Sequence, residues 1–110
     1  MLSKPHRLSK TRDVENVFAR GRYFSSPLFR LKFLKSSNKP RFTVVVSTKV
    51  SKKAVKRNRL KRLVREFVRL RLENFSGGDY VLMVQPKAAG VDEKEFLPGL
   101  ENFLKLHRLL

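Results

Sequence analysis

Cysteine is absent from this chain of 110 residues, and histidine occurs only twice, at His6 and His107. Without thiols there is neither a disulfide nor a thiolate zinc site. Two histidines at opposite ends, with only nine Asp and Glu, leave no metal-ligand spacing. No serine sits in a nucleophile elbow or in Ser/His/Asp surroundings. Asp92, Glu93 and Glu95 do cluster, but the positive end of a helix accounts for acids there. Ser76-Gly77-Gly78 reads as a loop rather than a phosphate cradle, because no Lys-Ser/Thr follows it on a helix. No apolar run approaches the ~20 residues that span a bilayer. The N-terminal MLSKPHRLSK has no apolar stretch of the kind a secretory signal needs. Repeats, low-complexity stretches and linkers are also missing. These absences point to a single domain over residues 1–110, to a reducing cytoplasmic setting, and to a chain with no catalytic residues, metal site or resident cofactor.

What is present is positive charge. Lys and Arg number 26, the formal charge is +17 and the isoelectric point is near 11.2. Such a balance points first to nucleic acid, then to a membrane surface, then to a merely soluble basic protein. An apolar content of 41% with nine Phe is enough for one packed core. The charge is densest from Lys49 to Arg71, where eleven cations face a single acid, Glu66. Leu60, Leu63, Val64, Phe67 and Val68 recur through this stretch at helical spacing. At 100° per residue, Asn58, Arg62, Arg65 and Arg69 fall within roughly a 60° arc opposite that stripe. A solvated helix usually mixes signs to gain i,i+4 pairs. This one repels itself, which implies a polyanionic partner.

Around that helix, placed at about Ala54 to Leu72, the pattern predicts a mixed fold. Residues 1–9 read as a basic extended arm. Thr11 is placed to cap a short helix with Val14, Val17 and Phe18 on one face and Gly21 as its stop. Phe29-Arg30-Leu31-Lys32-Phe33 alternates as a strand does. Phe42 to Ser47 is a second strand, and the turn chemistry of Ser36 to Pro40 suggests that the two pair as a hairpin. Gly77-Gly78 interrupts the chain before a strand from Tyr80 to Val84. Asp92 with Glu95 forms a candidate capping box for a last helix carrying Phe96, Leu100, Phe103 and Leu104. Pro98 offers an alternative start for it. The strand–helix–strand step suggests a parallel pair.

Lys53-Ala54-Val55-Lys56-Arg57-Asn58-Arg59-Leu60-Lys61-Arg62-Leu63-Val64-Arg65-Glu66 resembles the signature of the bacterial ribonuclease P protein subunit. Arg57-Asn58-Arg59, then Lys61, Arg62 and Arg65, opens a basic amphipathic helix after a strand ending at Ser47. Arg7-Leu8, Val17-Phe18 to Gly21, Phe29 to Phe33, Arg41 to Ser47 and Asp79 to Val84 are similar to that family's other elements in order. Val14 departs from the family, which often has an aromatic there, and Thr48 replaces a common Lys. The resemblance implies an α+β fold, a mixed α/β sandwich. In it a small central sheet and about three helices follow the order α-β-β-β-α-β-α, with a left-handed β-α-β crossover. It implies partnership with the catalytic RNA subunit of ribonuclease P and with precursor tRNA, whose 5′ leader the complex removes. It also implies that Mg²⁺ serves the RNA subunit rather than this chain. No membrane and no obligatory protein partner are expected.

The resemblance divides the candidate residues into two groups. Lys49, Lys53, Arg57, Asn58, Arg59, Lys61, Arg62, Arg65 and Arg69 would bind RNA, and guanidinium groups can hold phosphates bidentately. Asn58 could equally cap the helix. Phe18, Arg30, Lys32, Thr43, Val45 and Ser47 would form a leader cleft. Small residues on the second strand let RNA pass close, and Phe18 could stack a base or pack in the core. Two competing readings are a small ribosomal-type structural RNA binder and a membrane-active basic amphipath.

Overall fold

The computed structural model describes residues 2–110. In chain order the elements are α1 (Thr11–Arg20), β1 (Arg22–Ser25), β2 (Phe29–Lys35), β3 (Arg41–Val46), α2 (Ala54–Arg69), β4 (Gly78–Val84) and α3 (Glu93–Leu106). The strands make one sheet in the order β1-β2-β4-β3. The alternation along β2 and β3 creates two unlike faces. Phe29, Leu31, Phe33, Phe42, Val44 and Val46 point inward and are buried. There they meet Leu60, Val64, Phe67 and Val68 of α2 and Phe96, Leu100, Phe103 and Leu104 of α3. Tyr80, at the centre of β4, stacks on Phe33 at 4.3 Å and Phe42 at 4.5 Å between centroids, with Phe75 edge-on to Phe42 and Tyr80. Its hydroxyl donates to the Ser76 carbonyl at 2.7 Å, so this buried phenol is satisfied. On the opposite face α1 covers a smaller cluster of Leu8, Val17 and Val81.

The expected hairpin between β2 and β3 does not form. β4 lies between them, antiparallel to β2 and parallel to β3. Tyr80, Val81 and Leu82 are all buried, as suits a central strand packed on both sides. The turn at Ser36 to Pro40 instead spans the end of β4, and the Ser36 N–H donates to the Gly77 carbonyl at 3.2 Å. Gly78 has φ of +137°, and a Cβ there would strike the Leu34 carbonyl oxygen. Only glycine suits both demands.

Helix boundaries also differ from expectation. Lys10, not Thr11, is the N-cap of α1, without a side-chain hydrogen bond; Thr11 is its first helical residue. α2 ends at Arg69 rather than Leu72. α3 starts at Glu93 and carries Pro98 inside it. Asp92 accepts from the Lys94 N–H at 3.0 Å, and burial of Phe96 pins the first turn. Half of the capping box is thus in place, because Glu95 makes no return bond among the described residues. Residues 2–9 are not simply extended. Lys4–His6 forms a 3₁₀ turn, Leu2 and Leu8 are buried, and the Leu8 N–H donates to the Phe42 carbonyl at 2.9 Å. Arg7 bridges Phe42 in parallel, so the arm covers the start of the β3 edge.

Candidate nucleic-acid interface

The arm, α1 and β3 enclose a groove of about 520 Å³, lined by Arg7, Leu8, Val14, Phe18, Thr43 and Arg65 among others. Residue spacing on α1 decides which aromatic faces it. Val17 is fully buried against the sheet, while Phe18, one residue on, is 45% exposed. Phe18 therefore lines the groove rather than packing in the core. An ion cluster holds this wall. Arg41, at the start of β3, donates two bonds of 2.8 Å to the Asp79 carboxylate and one of 3.3 Å to Asp13 on α1. These carboxylates raise the Arg41 pKa, chiefly through the Asp79 hydrogen bond.

The other proposed cleft residues share this outer face without all lining the groove. Thr43, Val45 and Ser47 alternate outward along β3 and just beyond it. Arg30 and Lys32 are outward on β2, opposite Met83 and Val81 of β4. The structure thus joins Phe18 and Thr43 in one groove and spreads Arg30, Lys32, Val45 and Ser47 over the adjoining sheet.

Arg65 connects the groove to α2. Asn58, Arg62, Arg65 and Arg69 are all exposed, as their arc requires. Asn58 lies inside the helix and is not its cap, which is Lys53. The buried stripe is rotated slightly from the expected one: Val68 is 1% exposed, while Leu63 is only partly buried. That rotation turns Arg57 toward the protein, where it donates to the Ser51 carbonyl at 2.9 Å. Lys49 and Lys53 stand exposed on the loop before α2, which Val50 anchors in the core. Lys61 is half-buried at the flank.

Two of the arginines carry their own anion. Arg59 makes two bonds to Glu93 at the start of α3, and Arg69 pairs with Glu66 one turn back. Each carboxylate raises the pKa of its guanidinium. In return Arg59 lowers the Glu93 carboxyl, and the Arg69 hydrogen bond helps hold Glu66 down at about 2. Arg62 and Arg65 have no carboxylate partner among the described residues. Sequence reasoning missed the docking of the arm, and with it Arg7 in the groove. The available signal was Leu2 and Leu8, apolar residues in a basic stretch. Among the described residues no group of His, Asp and Glu could hold a metal ion, and no helix is long and apolar enough to cross a membrane.

A sheet with one face packed by two helices and the other by a short helix beside a basic groove defines the architectural class. The ribonuclease P profile matches residues 2–108. The chain is 34% identical to the ribonuclease P protein component of Cyanothece sp., covering 100% of this chain and 98% of that one. Against the Exiguobacterium sp. protein of the same description the identity is 36%, over 94% of this chain and 91% of the other. The solved ribonuclease P protein of Thermotoga maritima, in complex with 1-(4-fluorophenyl)-2-thiourea, superposes with a TM-score of 0.78 at 31% identity, covering 94% and 99% of the two chains. That of Staphylococcus aureus shares the fold, with a TM-score of 0.89 at 22% identity over 96% and 98%. The chain belongs to the ribonuclease P protein family.

Proposed function

We propose that this chain is the protein subunit of ribonuclease P. It binds the catalytic RNA and the 5′ leader of precursor tRNA, and so assists endonucleolytic removal of the leader. The observation that carries this reading is Arg65, which belongs at once to the basic face of α2 and to the groove beside Phe18. One continuous surface can therefore meet phosphates on α2 and a splayed single strand at Phe18. Arg62 and Arg65 neutralise phosphates directly, and Lys49, Lys53 and Lys61 flank them. Arg59 and Arg69 exchange Glu93 and Glu66 for phosphate. Arg57 shapes the loop through Ser51. Thr43, Val45 and Ser47 let RNA lie close to β3. Asn58 is free to bond a sugar or phosphate. Hydrolysis belongs to the RNA and its Mg²⁺, because the side chains on this surface bind and position rather than cleave.

Reconstitution tests the reading. At low Mg²⁺ the chain with a ribonuclease P RNA should cleave precursor tRNA faster than the same RNA without it. RNA-free, nuclease-treated protein should release no leader; correct-site cleavage by it would refute the assignment of hydrolysis to RNA. Contacts to ~6–10 phosphates should lower affinity roughly 10³–10⁵-fold between low and moderately raised salt.

A further inference from the structure

We infer that Tyr23 and Lys32 form a second base-stacking station for single-stranded RNA, at the β1 end of the outer sheet face and beyond the Phe18 groove. The inference rests on the function proposed above and extends its surface. Tyr23 is 51% exposed and belongs to neither core cluster. It lies directly opposite Lys32 in the β1–β2 register. The Lys32 ammonium sits 5.6 Å from the Tyr23 ring centroid, within cation–π range. The same ammonium donates to the Phe18 carbonyl at 3.4 Å. One cation therefore touches both the helix that carries Phe18 and the ring of Tyr23.

The path between the two aromatics is open. Val45, Met83, Arg30 and Ser25 are paired in register across the four strands. Val45 is 43% exposed, and Arg30 and Ser25 are exposed as well. This strip, exposed except at the partly buried Met83, runs beside α1 from β3 to β1, a distance of roughly 14 Å at the usual strand spacing. Arg30 lies on it, and Lys32 stands two register positions along β2 on the same face. Neither cation has a carboxylate partner among the described residues. Cations alternating with an exposed ring suit a phosphate backbone with unstacked bases. A strand leaving the Phe18 groove along this strip would reach Tyr23 only when it is long enough.

The test uses reconstituted holoenzyme and precursor tRNAs whose leaders lengthen one nucleotide at a time. Wild type is compared with Tyr23→Ala, Tyr23→Phe and Phe18→Ala. Tyr23→Ala should lower affinity about ten-fold for long leaders and leave short leaders and mature tRNA unaffected. Tyr23→Phe, which keeps the ring, should restore the long-leader affinity. A photoreactive base placed along the leader should cross-link to β1 only beyond that same length. If Tyr23→Ala weakens every substrate equally, or weakens none while Phe18→Ala still acts, this station is refuted and the groove stands. If Phe18→Ala is silent too, the groove assignment falls with it.

Discussion

The two faces of the sheet are built to opposite specifications. The inner face carries an unbroken aromatic and aliphatic layer under two helices, with Phe29 and Tyr80 fully buried. The outer face is held by three buried residues under one short helix and leaves Phe18, Tyr23 and Val45 exposed. A small domain has limited apolar area to bury. Here that area is concentrated on one side, so the other side is free to stay open and basic. Stability and the proposed RNA contact thereby fall to different residues, and substitutions should separate them.

Phe29→Ala should have the largest effect. Its ring meets Phe96 at 5.2 Å and Phe103 at 6.1 Å, and its loss should cost about 3–5 kcal/mol in a denaturant melt. Loss of RNA binding should follow only from the unfolded fraction. Arg62→Ala combined with Arg65→Ala should do the reverse. The melting temperature should stay within the range of ordinary surface changes, while the log–log salt slope of RNA binding falls by about 2. A marked loss of stability in this double variant would break the division between the faces.

Phe18→Ala should lower holoenzyme affinity for precursor tRNA by ~1–3 kcal/mol, leaving mature tRNA unchanged; the ratio of the two affinities is the measurement. Leu63→Ala sharpens the comparison on α2 itself. Because Leu63 is only partly buried, its cost should stay nearer 1 kcal/mol than the roughly 2–5 kcal/mol of a fully buried leucine. The smallest effect concerns acid. The Glu66 carboxyl lies at about 2 in the folded chain, held down first by the Arg69 hydrogen bond. Its contribution is in place above the ordinary carboxylate range and disappears as pH falls through about 2. Glu66→Gln should flatten that part of the acid melting profile.

Much of this arrangement was legible in the sequence. Alternation in Phe29 to Phe33 and the 3.6-residue period around Leu60 to Val68 placed two elements and their faces. The parallel pair followed from the strand–helix–strand step. Strand order did not follow, because a turn such as Ser36 to Pro40 looks the same whether the flanking strands pair with each other or straddle a third. The continuous apolar run Tyr80 to Val84 was the mark of a central strand. β1, at Arg22–Ser25, is too short for periodicity to show. The inward turn of Arg57 depends on helix rotation, and the Arg59–Glu93 pair joins residues 34 apart, so no local pattern contains those two contacts. The Arg69–Glu66 pair, three residues apart on one helix, was within reach of the sequence.

Placing β4 between β2 and β3 has a consequence for how the chain is made. The central strand comes after α2, so β2 and β3 both wait for a segment synthesised some thirty residues after β3 ends. Until Gly78–Val84 emerges, β2 has only β1 beside it and β3 has no neighbouring strand, so each presents an unpaired edge. Non-local and parallel pairing of this kind closes slowly. The nascent chain meets that interval already strongly cationic, and an RNA engaging α2 at that stage would hold half of an unfinished sheet. Completion of the fold is therefore ordered by topology, with β4 as its keystone.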